Sequence, residues 1–143
     1  MKEGPRISID LARRMFLMAF GVGLVPVALA YGAVPEQSLT WLYGLDAPDS
    51  TTRHFFRAIM GLYLAMIAFW LAGAAHAALR MAALWSAFVF VTGIASGRLL
   101  SLALDGWPRP ILLIYLVLEI ALAAVSLTLI LCGPGRATAE DAG

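Results

Sequence analysis

Four uninterrupted apolar blocks, at residues 15–34, 54–75, 81–104 and 111–131, restrict what this chain can fold into more than any other feature. Each is close to the ~20 residues that cross a ~30 Å hydrocarbon layer as an α-helix. A membrane β-barrel would show ~10-residue segments of alternating polarity instead, and these runs do not alternate. Composition agrees: of 143 residues, 62% are hydrophobic and 13% charged, against roughly 45–50% and about 25% in soluble domains. The chain therefore reads as all-α, a single integral membrane four-helix bundle over residues 1–143, with the lipid bilayer as its first partner.

The breaks between blocks carry turn chemistry. Pro35 ends the first block, and the connector "PEQSLTWLYGLDAPDSTTR" places Trp41 and Tyr43 where aromatic rings suit the headgroup zone. Part of it, residues 38–43, reads as a short amphipathic helix on the membrane surface, with Asp49 or Ser50 available to cap the next span. The connectors "GAAHAALR" and "DGWPRP" are short enough to force antiparallel hairpins. Pro26 removes a backbone donor within the first span and is expected to kink it. The small, polar tail at 133–143 is expected to be disordered. No internal repeat is evident.

With four spans both termini share a side, and Lys2, Arg6, Arg13, Arg14, Arg80 and Arg136 collect there. The positive-inside rule makes that side cytoplasmic in a chain that crosses the membrane several times. Arg53 and Arg109, with Glu36, Asp46, Asp49 and Asp105, fall on the outer side. "ARRMFLM" followed by "ALA" at 28–30 also resembles a twin-arginine export signal. Paired arginines before an apolar helix serve equally as a cytoplasmic anchor, and the three further spans favour that reading.

Charged groups inside the spans are the candidates for function. An ion at membrane depth costs about 2.5–3.5 kcal/mol on insertion scales, so such groups turn inward and pair. Counted from the 104–111 turn, Arg98 and Glu119 differ in depth by only about 3 Å, which predicts an ion pair. Arg98, Ser101 and Asp105 recur at i, i+3 and i+7, and Tyr115 and Glu119 at i, i+4. Arg57, with Tyr63 near its face, is expected to join them in a polar pocket in the outer half of the bundle. A plainer account stands beside this one: Arg98 and Glu119 as a structural clamp, Arg57 snorkelling to the interface, and Asp105 as a helix-end residue.

Other chemistry is absent from the pattern. A net charge of +1 without a basic face speaks against nucleic acid. One cysteine, Cys132, excludes an internal disulfide or a cysteine-rich metal site. His54 and His76 lie at opposite ends of one helix, about 33 Å apart, too far to share a haem or metal. No metal and no cofactor is expected. Gly93 and Gly97 form a GxxxG pair that permits close helix approach, a weak pointer to a homo-oligomer.

The segments "FRAIMGLYLAMIAFWLAG" and "GIASGRLLSLALDGWPRPILLIYLVLEIALA" together resemble the bacterial membrane family known as domain of unknown function 4345. "GRLLSLALDGWP" is the most specific part, supported by Arg57, Gly61 and Glu119. The resemblance covers about residues 12 to 131. It implies a compact four-helix inner-membrane protein, distantly similar to the DoxX-type group, and carries no established activity.

Three roles follow, in order. The first is a binding or accessory protein whose pocket around Arg98 and Glu119 holds a small amphipathic or anionic ligand such as a lipid headgroup, quinone or carboxylate. The second is an accessory subunit of a larger membrane complex, the charges only holding the bundle together. The third is a membrane enzyme using Glu119 or Asp105 as acid or base; with no hydrolase, P-loop or zinc motif present, the balance is against it.

Overall fold

The computed structural model describes residues 6–44 and 49–132. The tail expected to be disordered, and with it Lys2, Asp46 and Arg136, lies outside the described residues. Five helices follow one another: α1 (Arg6–Gly32), α2 (Pro35–Tyr43), α3 (Ser50–Ala75), α4 (Ala77–Asp105) and α5 (Pro110–Leu131). Four of them, all but α2, are long and apolar enough to cross a membrane. The protein is a multi-pass membrane protein.

Local chemistry sets the helix ends. Pro35 and Pro110 open α2 and α5, where a missing N–H costs nothing. The Asp49 carboxylate accepts the Thr52 amide at 2.8 Å and caps α3. That hydrogen bonding, from the Thr52 hydroxyl and then its amide, holds the Asp49 carboxyl below the usual aspartate range. α2 ends where Gly44 adopts φ 67°, a left-handed turn that a side chain would strain.

The expected boundaries need two corrections. The surface helix begins at Pro35 rather than 38, because proline's fixed φ suits a first turn. The connector "GAAHAALR" is almost wholly helical: His76 alone, extended at φ −111° and ψ 117°, joins α3 to α4. Helices also run past the apolar blocks, since backbone hydrogen bonding does not stop at the lipid boundary; α1 starts at Arg6 and continues through Pro26.

Apolar side chains gain little by leaving lipid, so packing and interhelical hydrogen bonds hold such a bundle. α1 lies along α3, where Gly32 brings the helices so close that an added Cβ would meet the Cα of Arg57 at 3.0 Å. At the other end of α3, Gly73 backs onto the Ala83 methyl of α4. Between them sits Trp70, wholly buried, its ring 4.5 Å from Phe20 of α1 and 5.2 Å from Phe90 of α4. Its indole N–H donates to the Ser86 hydroxyl at 3.0 Å, which donates in turn to the Ala83 carbonyl. α4 packs along both α3 and α5, whereas α1 and α5 scarcely touch. The order around the bundle is thus α1, α3, α4, α5, with an open seam between the last and the first.

Candidate functional site

α4 and α5 are tied across the bundle by Arg98, whose Nε donates to both carboxylate oxygens of Glu119, at 2.9 and 3.0 Å. The two groups lie about 10 Å and about 14 Å in from the Asp105 and Pro110 ends of their helices. Their side chains are only 19% and 13% exposed, so the pair is formed away from bulk water. The pairing expected from depth counting is present.

Tyrosine surrounds the arginine. The guanidinium carbon stands 5.6 Å over the ring of Tyr115, within cation–π range. Tyr31, Tyr43 and Tyr63 each lie within electrostatic reach of the same arginine. They form one aromatic block: Tyr31 stacks on Tyr43 at 5.8 Å and leans on Tyr63 at 5.5 Å. The chain has four tyrosines, and all of them converge here. Sequence reasoning singled out Tyr63 and Tyr115 and passed over Tyr31 and Tyr43. The missed signal was depth, since Tyr31 closes α1 and Tyr43 closes α2 at the same end of the bundle.

α2 forms the ceiling of this block. Leu39 is wholly buried beneath it. Its last turn is held by the Tyr43–Tyr31 stack and by the guanidinium of Arg109, which lies against Gly44. A cation at a helix C-terminus is favoured by the helix dipole. Glu36 accepts from Arg53 of α3 at 2.6 Å, a pair exposed enough to add little stability. Burial, then the neighbouring Tyr31 phenol, pushes the Tyr43 hydroxyl far above the ordinary tyrosine range, so it stays uncharged.

Below the tyrosines the seam widens into a cavity of about 430 Å³, walled by residues 16–27 of α1, 90–98 of α4 and 115–125 of α5, with Tyr63 of α3. The polar groups, Arg98, Glu119, Tyr63 and Tyr115, gather toward the α2 end, and the remaining wall is apolar. Among the described residues, Arg98 and Glu119 are the only charged groups lining it. At the opposite, terminal end, the Nε of Arg13 donates to the Leu129 carbonyl in the last turn of α5 at 2.9 Å. This satisfies an orphan carbonyl and draws the two helices together.

The remaining candidate residues lie apart. Ser101 donates to Asp105 one turn on, at 2.6 Å, and lines a separate space of about 80 Å³ behind Arg98. Asp105 is exposed and lines neither space. Arg57 is exposed and stands outside the cavity wall, its backbone pressed on Gly32. Gly93 and Gly97 face open space. A further ion pair went unexpected: Arg80, buried at the terminal end, donates to both oxygens of Asp10 at 2.5 and 2.6 Å and to the Ala74 carbonyl at 3.3 Å.

Residues 12–130 match the profile of a family described as Domain of unknown function (DUF4345), a stretch that takes in every residue of the site. No curated protein and no solved structure matches the chain.

Proposed function

We propose, for a chain that belongs to the DUF4345 family, that the seam between α1 and α5 is a binding site for a membrane amphiphile, headed at the Arg98–Glu119 pair. The observation that carries this is the cavity itself. A space of about 430 Å³, apolar along its length and polar at one end, has the size and lining of small-molecule sites, about 300–1,000 Å³ with a few convergent polar groups. The positive charge gathered at the terminal end supports placement in a bacterial inner membrane with both termini in the cytoplasm. The polar end then faces the outer leaflet.

Gly23 supplies the test. It lines the seam, and a Cβ there would meet nothing within 4 Å, so a larger side chain fills the cavity without disturbing the fold. Native mass spectrometry of the purified protein is expected to find one amphiphile per chain, lost in Gly23→Leu and kept in Gly93→Leu, whose glycine also faces open space but lies off the cavity wall. Identical adducts in both variants would overturn the reading. A second role, packing against a larger membrane complex, draws support from the open Gly93–Gly97 face of α4. Recovery of a stoichiometric partner in mild detergent, lost in Gly93→Ile, would favour it.

A further inference from the structure

Resting on the seam being an amphiphile site, we infer that its occupant is an uncharged amphiphile with one hydrocarbon chain, which reaches Arg98 sideways from the bilayer between α1 and α5. Three features point the same way: the charge balance, the shape of the space and the closure of its ends.

Arg98 does not offer a free positive charge. Both oxygens of Glu119 are engaged by its Nε, and among the described residues no third charged group lines the cavity. The lining is therefore neutral in sum. An anionic head would lose its hydration and meet the Glu119 carboxylate as closely as the guanidinium, with no surplus cation to offset either effect. A guanidinium has five N–H donors, however, and Nε uses one. The other four sit on the two terminal amino groups, which lie near the Tyr31 phenol and can donate to an uncharged acceptor such as a hydroxyl or carbonyl oxygen. The tyrosine rings add flat, weakly polar surfaces around that head.

The wall on α1 runs from Phe16 to Val27, about 16 Å along the helix axis. Spread over that length, about 430 Å³ gives a mean cross-section of about 27 Å², a slot that takes one hydrocarbon chain along its axis. A narrow slot with a neutral lining suits one hydrocarbon chain under an uncharged head better than a two-chain phospholipid with its phosphate charge.

Both ends are closed. α2, with buried Leu39, the Tyr43–Tyr31 stack and Arg109 at its last turn, covers the polar end. The Arg13 to Leu129 hydrogen bond draws the helices together at the other. What remains open is the side, where α1 and α5 scarcely meet and where Gly23 leaves space. A ligand passing there comes from lipid, not from water.

The full chain in phosphatidylcholine nanodiscs, photolabelled with diazirine analogues of 1-hexadecanol and of hexadecanoate at pH 8.5, separates the possibilities. The alcohol is expected to label residues 16–27 and 118–125 at least tenfold more than the ionised acid, in competition with unlabelled 1-hexadecanol, and Gly23→Leu to abolish the label. Release of the bound alcohol is expected to slow at least fivefold in Ala121→Phe, at the lip of the seam, and to stay within twofold in Arg109→Ala. Equal or stronger labelling by the acid, still abolished by Gly23→Leu, would overturn the uncharged class while leaving the site in place. Release that quickens in Arg109→Ala and ignores Ala121→Phe would overturn lateral access. Label that ignores Gly23→Leu would overturn the binding site itself.

Discussion

Removing one partner of the Arg98–Glu119 pair tests the structural claim on which the site depends. Each group lies about 10 to 14 Å in from its helix end, most of the way through a half-bilayer about 15 Å thick. Stranding an ion near that depth costs about 2.5–3.5 kcal/mol, but the two sides of the pair are unequal. Glu119→Leu strands a guanidinium, which cannot lose its charge, and is expected to destabilise the bundle by about 2–3 kcal/mol. Arg98→Met strands a carboxyl, which sheds its charge by taking a proton, and is expected to cost about 1–2 kcal/mol. Both replacements together leave an apolar contact of similar volume, near neutral in effect. The coupling between the sites should therefore approach the sum of the two single costs, about 3–5 kcal/mol, above the roughly 0.6–1.7 kcal/mol of uncharged interhelical hydrogen bonds in membranes. Reversible unfolding of the four proteins in mixed micelles yields it as a double-mutant cycle. A coupling below about 0.3 kcal/mol, the scatter of independent sites, would refute the clamp, and Arg98→Met costing more than Glu119→Leu would refute the asymmetry.

Other features give sharper local tests. Gly73→Ala drives a methyl into Ala83 and is expected to cost about 1–3 kcal/mol; Gly93→Ala, with open space before it, should be neutral or stabilise by up to about 1 kcal/mol through helix propensity. Thermal unfolding of the two variants side by side decides this. Asp10→Asn removes the charge facing buried Arg80, and because Asp10 is itself 59% exposed the loss should be only about 1 kcal/mol, read in the same assay. Asp49 has its folded pKa depressed, so its capping contribution is present above the ordinary aspartate range and is lost as pH falls through the folded value. Amide exchange at Thr52 should lose protection in acid, and Asp49→Asn, which caps without titrating, should remove that pH dependence.

Depth was legible in the sequence and azimuth was not. Position along a helix is linear in residue number, which is why four spans, two tight turns and the Arg98–Glu119 pairing could be read without coordinates. The direction a residue faces needs a polar stripe to fix the rotation of its helix, and α3 is apolar nearly all round. Arg57 accordingly shares a depth range with the site but turns to the outside. The Arg80–Asp10 pair escaped for a related reason: Arg80 was counted as a topological charge, and nothing in a one-dimensional pattern shows that a residue 70 positions earlier meets it. The seam was equally hidden. Connector lengths dictate which helices follow one another, while the failure of α1 to close on α5 depends on the rotation and tilt of all four.

That failure to close has a physical reason peculiar to membranes. In water an apolar seam of this size would collapse, because each buried CH₂ gains about 0.8 kcal/mol; in lipid the seam's walls exchange one hydrocarbon neighbour for another and gain little. The width of the seam is therefore set by directional contacts rather than by burial. Arg13 draws α1 to α5 at the terminal end, the Tyr31–Tyr43 stack and Arg109 fix α2 across the other, and Arg98 holds α5 against α4 between them. Such struts hold the walls of the seam apart without a packed core between them, as the proposed amphiphile site requires. Loosening a strut should then change the width of the seam, and with it which chains fit, well before it unfolds the bundle.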